Sequence, residues 1–220
     1  MKRGTLFVWI LFLLATFAIG LFLAASTNRM PSILIDQPEL GIESCPRDRA
    51  GEDRLINASA KNLKGLHPAV RAGAEDLIRV SHSCYNIDIR ITQGYRTNKQ
   101  QDVLYEQGRS RAGDVVTNAR GGESMHNYGL AIDFVQMVDG DISYDLEYDG
   151  NQSGKSDWRE VAAVGKALGF EWGGDWKRFV DYPHFEMTFG YSLDELQDDE
   201  RPSRQEKANR TEGIETLLNP

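Results

Sequence analysis

The sequence predicts an α+β fold, a small antiparallel sheet flanked by helices, preceded by one N-terminal transmembrane helix. Three observations lead to this prediction. A long apolar segment without charge, residues 5–25, lies near the start of the chain. Apolar residues with helical spacing follow Pro68. Side chains alternate between two faces, as they do in strands, over residues 87–91, 130–135 and 183–187.

Residues 1–30 are predicted to be a cytoplasmic tip and a transmembrane signal anchor. Thr5 to Ala25 carries no charge, and about 20 apolar residues cross the hydrocarbon core as a helix. This run is longer than the apolar part of a cleaved signal, about 7–15 residues, although Ala24-Ala25-Ser26 offers small residues for cleavage. Lys2 and Arg3 precede the span, so the folded part should lie outside the inner or plasma membrane.

Residues 31–62 are expected to form an extracytoplasmic stalk, because they contain three prolines and many polar residues without sustained periodicity. Cys45 and Cys84 are the only cysteines. Two cysteines of an exported protein are candidates for a disulfide, which here would tie the stalk to the domain.

Residues 63–192 are long enough to form one globular domain with a single core. Residues 193–220 are charged and almost free of aromatic residues, which predicts a mobile tail. Within the domain, the predicted order is a helix from Pro68, a strand at 87–91, a helix capped by Thr97 and Gln100 and ending at Gly108, a loop at 109–125, a strand at 130–135, a loop at 139–157, a helix from Ser156 to Gly169, and a strand at 183–187.

The chemistry is predicted at two distant stretches, which carry His126, Asp133 and His184. Two imidazoles and one carboxylate make three zinc ligands, and a catalytic zinc site leaves its fourth position open. Asp133 shares a strand face with apolar neighbours, where a carboxylate is costly unless it is paired or bound to a cation. Gly129 allows a tight turn that brings His126 over the strand end. Asp181 lies three residues before His184, near enough to act on water without being a ligand.

The same residue types are also compatible with other roles. A single histidine is more often a hydrogen-bonded structural residue, and His67 and His82 receive that interpretation. Asp133 could instead cap a helix or pair with a buried arginine. The aromatic residues Trp172 and Trp176 are either core residues or a wall of the substrate site.

The charge of the chain excludes a nucleic-acid-binding role. Without its first 30 residues the chain holds 22 basic and 33 acidic residues, a net charge of −11. The sequence contains no basic cluster that would bind a polyanion.

Several ordered motifs resemble the zinc D-Ala-D-Ala peptidases, the M15 or VanY-like group, and most of all the L-alanyl-D-glutamate endopeptidases of phage endolysins and bacterial wall hydrolases. The resemblance covers roughly residues 86–190 and implies the D-Ala-D-Ala peptidase or Hedgehog-like zinc fold. The motifs are Gln93 to Thr97, Leu104 to Arg109, Val116 to Ala119, Ser124 to Phe134, and Asp181 to Phe185.

The resemblance implies a role for each matching residue. His126, Asp133 and His184 would bind Zn²⁺, Asp181 would be the catalytic base, and Arg96 would steady the substrate carbonyl. Ser124 lacks a nucleophile's setting and is expected to orient His126 or the substrate, and Trp176 is the other candidate for substrate binding. In the carboxypeptidase branch a glutamate usually stands where this chain has Asp181, which favours the endopeptidase branch.

The predicted function is therefore zinc-dependent hydrolysis of an amide bond in the peptidoglycan stem peptide, between L-Ala and D-Glu. The alternatives are a D-Ala-D-Ala carboxypeptidase, a non-catalytic zinc-containing wall-binding module, and a membrane-anchored adaptor with incidental histidines. The expected partners are the stem peptide and, through the N-terminal helix, the membrane. The sequence makes no prediction of oligomeric state.

Overall fold

The computed structural model describes residues 45–211 together with Ile214 and Leu218. The predicted transmembrane segment 5–25 lies outside the described residues, and within them no helix combines the length and apolar character needed to cross a membrane. The helices are α1 (Arg49–Ser59), α2 (Pro68–Tyr85), α3 (Asn98–Glu106), α4 (Asp157–Ala167) and α5 (Leu193–Gln197). The strands are β1 (Asp88–Gln93), β2 (Ala131–Val138), β3 (Asp141–Ser143), β4 (Glu171–Trp172) and β5 (His184–Glu186).

Strand β2 is the centre of an antiparallel sheet with the order β1-β2-β5-β4, and β3 also pairs with β2. Its alternation places Ile132 and Phe134 in the core, where both are fully buried. Phe134 stacks on Phe185 of β5 and contacts Trp158 of α4, with ring centroids 5.3 and 4.7 Å apart. The predicted α+β fold with a small antiparallel sheet is confirmed.

The helices begin where local chemistry favours them. Pro68 occupies the first turn of α2, where its missing N–H costs no hydrogen bond, and the side chain of His67 caps that turn. Thr97 and Gln100 form the predicted capping box of α3. Ser156 precedes α4 as predicted, but its hydroxyl donates to the carbonyl of Leu146 instead of capping the helix.

Part of the predicted stalk folds as helix α1. The side chain of Asp48 caps its first turn by accepting from the N–H of Gly51. Leu55 is buried in the core, and the Ser59 hydroxyl accepts from the N–H of Ile91 on β1. The sequence did not predict this helix, because its buried face contains few apolar residues.

The described part of the tail packs on the domain, in contrast to the mobile tail expected for residues 193–220. Ser192 and Glu195 form a capping box that starts α5, and Leu196 is fully buried. Farther along, the carbonyl of Ser203 accepts from His67 Nε2 at 2.8 Å, and the N–H of Thr211 donates to the carbonyl of Ala167. These hydrogen bonds offset the entropy cost of ordering a charged segment. Composition alone does not show that such bonds form.

Cys45 and Cys84 form a disulfide that joins the start of the described chain to the last turn of α2. The two cysteines are 39 positions apart, and closing a loop of this length raises the free energy of the unfolded chain by about 4 kcal/mol. We therefore expect reduction to lower Tm by about 10 °C, measured by calorimetry on the full chain. The double variant Cys45→Ala/Cys84→Ala should show the lower Tm with or without reductant. Equal Tm values for the oxidised and reduced protein would contradict this prediction.

Candidate active site

The sheet register and one short turn bring His126, Asp133 and His184 together. Asp133 on β2 lies directly opposite His184 on β5, and His126 belongs to a 3₁₀ turn at Met125–Tyr128 just before β2. Asp133 Oδ1 lies 3.2 Å from His126 Nε2 and 3.2 Å from His184 Nδ1. One donor atom from each residue falls within 4.8 Å of the others.

The turn that carries His126 is held by hydrogen bonds to the segment after β1. Gly129 ends it with a φ of 69°, and a Cβ at this position would lie 2.5 Å from the carbonyl oxygen of Gly65, so a larger residue would not fit. His126 Nδ1 donates to the carbonyl of Gly94 at 2.8 Å. The N–H of Arg96 donates to the carbonyl of His126. This arrangement leaves the lone pair of Nε2 facing Asp133.

The geometry fits a zinc ion. Zinc bound tetrahedrally through bonds of about 2.0–2.1 Å sets neighbouring ligand atoms about 3.3 Å apart, and Asp133 Oδ1 lies 3.2 Å from each imidazole nitrogen that faces it. Each histidine has its other nitrogen engaged elsewhere, as expected for metal-binding imidazoles. The ligand set of two nitrogens and one oxygen suits zinc.

The carboxylate of Asp133 and the imidazole of His184 stabilise each other's charged form. Burial works to raise the pKa of the Asp133 carboxyl, but the two imidazoles outweigh it and hold this pKa far below its usual range. Burial works to lower the pKa of His184, but hydrogen bonds to Asp133 and Glu186 outweigh it and raise the pKa to about 9. A metal ion held by these residues would compete with a proton for His184.

Arg96 reaches the same centre from the segment between β1 and α3. Its Nη2 lies 3.8 Å from Asp133 Oδ2, and its Nη1 donates to Gln101 Oε1 at 2.8 Å. Its Nε is buried and has no hydrogen-bond partner among the described residues. Burial lowers the pKa of Arg96, and the charges of Asp133 and Asp181 partly offset this. The site thus holds a partly desolvated guanidinium beside the carboxylate.

Asp181 lies in the same cleft, before β5. Its N–H donates to the carbonyl of Gly173, and its own carbonyl accepts from the N–H of His184. Burial raises the pKa of the Asp181 carboxyl, the charge of Asp133 raises it further, and His184, His126 and Arg96 oppose this rise. A raised pKa brings a carboxylate closer to the basicity useful for proton transfer.

The centre lies in a cleft of about 880 Å³, and both predicted substrate-binding residues line it. The Ser124 hydroxyl accepts weakly from the N–H of His126, at 3.4 Å. The half-buried ring of Trp176 lies 5.0 Å from that of His184. Trp172 is a buried core residue whose Nε1 donates to the carbonyl of Tyr182.

The two other histidines have structural roles, as predicted. His67 caps α2 and bonds to Ser203. His82 lies between Asp48 and Asp88, 3.1 and 2.5 Å from their carboxylates. Each ring nitrogen of His82 faces a different carboxylate, so the residue bridges α1 and β1.

Sequence reasoning missed two residues that support the centre. Glu186 Oε2 accepts from His184 Nε2 at 2.9 Å, and the alternation over 183–187 already places both side chains on one strand face. Gln101 is fully buried in α3 and bonds Arg96 on one side and the carbonyl of Ala119 on the other. Its position in a helix gives no comparable signal.

Glu186 is expected to strengthen metal binding because it fixes the ring of His184 and raises the basicity of Nδ1. The variant Glu186→Gln should weaken zinc affinity about 10–100-fold, as loss of such outer partners typically does. Competition with a chromophoric chelator measures this affinity. The control is Glu171→Gln, an exposed residue opposite Glu186 on β4. Equal affinities for the two variants would show that Glu186 does not support the metal centre.

The chain is similar to known wall peptidases in sequence. Residues 117–187 match a family profile described as D-alanyl-D-alanine carboxypeptidase. The peptidoglycan L-alanyl-D-glutamate endopeptidase CwlK of Bacillus subtilis (strain 168) is 61% identical over 123 residues, which cover 56% of this chain and 73% of CwlK.

Two further relatives carry the same activity in their names. The L-alanyl-D-glutamate peptidase of Listeria phage A118 is 34% identical over 137 residues, 62% of this chain and 43% of the phage protein. Among solved structures, the L-Ala D-Glu endopeptidase ChiX of Serratia marcescens matches with 23% identity and a TM-score of 0.39, over 60% of this chain and 87% of ChiX.

Proposed function

The chain belongs to the M15 (VanY-like) peptidase family and is a peptidoglycan peptidase, and we propose that it cuts the amide bond between L-Ala and D-Glu in the stem peptide with the help of a zinc ion. The identity with CwlK supports this choice of bond. The presence of Asp181, where the carboxypeptidase branch usually has glutamate, supports it too.

The proposal depends above all on the cluster of His126, Asp133 and His184, whose donor atoms have the spacing of zinc ligands. These three residues would hold the ion. When bound, zinc supplies Lewis-acid chemistry, which activates water and polarises the carbonyl that is attacked. No fourth protein ligand is needed, so one position is left for the reactants.

Asp181 is proposed as the general base and then the general acid. Its carboxylate takes a proton from the attacking water and later gives it to the departing amine. The burial that raises its pKa helps both steps, because the group must accept and release a proton within one cycle. The hydrogen bond from the N–H of His184 to the carbonyl of Asp181 keeps Asp181 close to the metal ligands.

Arg96 is proposed to stabilise the negative charge that develops on the substrate carbonyl. A single donor of this kind lowers the barrier by about 3–4 kcal/mol. Gln101 holds one end of the guanidinium, so the group requires little rearrangement during the reaction. Ser124 and Trp176 are proposed to contact the bound peptide from the cleft wall.

A second candidate activity is D-Ala-D-Ala carboxypeptidase, because the matching family profile carries that description. The two activities release different products. An endopeptidase exposes the amino group of D-Glu, whereas a carboxypeptidase releases free D-Ala.

Digestion of purified cell wall with the full chain tests the proposal. We expect new D-Glu amino termini, about one zinc per chain, and loss of hydrolysis after chelation with recovery on adding zinc. Free D-Ala without D-Glu termini would favour the carboxypeptidase. One zinc per chain without hydrolysis would reject catalysis and leave a wall-binding module.

The domain is proposed to act outside the inner or plasma membrane, attached by the apolar segment 5–25. The substrate lies there, and a disulfide such as Cys45–Cys84 persists in oxidising compartments. Fractionation of cells that express the full chain tests both points. The protein should sediment with membranes, and external protease should digest its catalytic domain; recovery in the cytosol would reject the proposal.

A further inference from the structure

Four apolar side chains at the mouth of the cleft are largely exposed to solvent. Val115 and Val116 are 53% and 55% exposed, and Phe179 and Val180 are 77% and 48% exposed. All four line the cleft that holds the metal site. We call this set the apolar rim. Burying an exposed phenylalanine side chain would lower the free energy by about 1.5–3 kcal/mol. Exposed apolar residues at a site entrance therefore favour binding of an apolar group.

The loop that carries Phe179 is built to project. The N–H groups of Trp176 and Asp181 both donate to the carbonyl of Gly173, at 3.2 and 3.1 Å, and close the loop at its base. The four residues between them, 177–180, are all exposed. Phe179 adopts a φ of 53°, an uncommon conformation for a bulky residue, and such positions occur often at binding and active sites.

The second part of the rim is also tied to the site. Arg109 donates to the carbonyl of Thr117 at 2.9 Å, and Gln101 donates to that of Ala119 at 2.8 Å. Gln101 is the same residue that holds Arg96. Val115 and Val116 therefore lie on a loop anchored to the support of the proposed oxyanion donor.

Charge gives this cleft little attraction for an anionic peptide. Of the described residues that line it, the carboxylates are Glu123, Asp133, Asp181 and Glu186, and the guanidinium is Arg96 alone. A divalent cation would still leave a net negative charge. A stem peptide carries carboxylates of its own, so charge opposes its binding and apolar contact at the rim would favour it.

We infer that the apolar rim is a substrate-specificity element, in which Phe179 and Val180 together with Val115 and Val116 cover an aliphatic side chain of the stem peptide during hydrolysis. This inference rests on the proposed function. The rim residues neither bind the metal nor transfer protons, so their expected contribution is to substrate affinity. Phe179, the most exposed of the four, should contribute most to this affinity.

Steady-state kinetics of the full chain on a soluble stem tetrapeptide that contains the L-Ala-D-Glu bond tests the inference. Phe179→Ala should raise KM about tenfold, with kcat within twofold of the unmodified chain and one zinc retained. Phe179→Leu should restore most of the affinity, since leucine offers similar apolar area. The control Tyr144→Ala removes a side chain that is 66% exposed outside the cleft and should leave KM unchanged.

Three results would overturn the inference. An unchanged KM in Phe179→Ala would show that the rim does not contact the peptide. A lower kcat at unchanged KM would show that Phe179 acts by positioning Asp181. A failure of the unmodified chain to cut the tetrapeptide would reject the proposed function itself, and the rim inference with it. The first two results, in contrast, reject only the inference, because the unmodified chain still cuts the substrate.

Discussion

Replacing Asp181 by asparagine should lower kcat for hydrolysis of the L-Ala-D-Glu bond by about 10²–10⁴-fold, the usual contribution of a general acid-base group. Asparagine has nearly the same size, so the loop bonded to Gly173 should keep its shape. The amide cannot accept the proton of the attacking water or return one to the amine. Metal content should stay at one zinc per chain, because Asp181 is not proposed as a ligand. Single-turnover hydrolysis and metal analysis of the same sample measure both quantities.

The matched control is Asp175→Asn on the same connecting segment. Asp175 is exposed and pairs with Lys166 at 3.0 Å, and an exposed pair of this kind has little effect on stability. This variant should keep full activity. If Asp181→Asn were as active as Asp175→Asn, another group would have to be the base.

Replacing His184 by alanine should strongly weaken zinc binding and abolish hydrolysis. The change removes one of three proposed ligands and leaves the carboxylates of Asp133 and Glu186 without the imidazole that lies between them. Zinc affinity should therefore fall by more than the 10–100-fold expected for an outer partner. Equilibrium dialysis against buffered zinc gives the affinity, and wall digestion gives the activity.

His67→Asn provides the comparison for this experiment. Asparagine is a good helix N-cap, so it can replace His67 at the start of α2. That variant should bind one zinc and digest wall normally. Stoichiometric zinc with full activity in His184→Ala would remove His184 from the ligand set.

Alternation and residue type pointed to the residues that the structure brings together, and the family resemblance supplied their expected roles. A carboxylate on an apolar strand face singled out Asp133, and the alternation around His184 placed it on a second strand. The sequence left the register between the two strands undetermined, because pairing depends on the whole sheet. The structure supplies that register, with Asp133 opposite His184.

The missed residues share a physical reason. Gln101 acts through bonds to Arg96 and to a loop 18 positions away, and no local pattern encodes such contacts. Phe179 looks like a core residue by type, yet its loop exposes it. The α1 helix and the packed tail depend on tertiary contacts that override their polar composition. Among the residues that the sequence analysis missed, only Glu186 could have been predicted, because it lies two positions after His184 on the same strand face.

The bridge between Cys45 and Cys84 determines how the domain would bear tension. A pull on the chain ahead of residue 45 passes through the sulfur atoms into α2. Helix α1 comes after the bridge along the chain, so this load bypasses it. Helix α1 itself is held to β1 by contacts that include the bond between Ser59 and Ile91, on the strand that leads to Arg96. In a chain attached at its N-terminal side, as proposed above, tension from a stretched polymer would enter the described domain at α2 and not at α1.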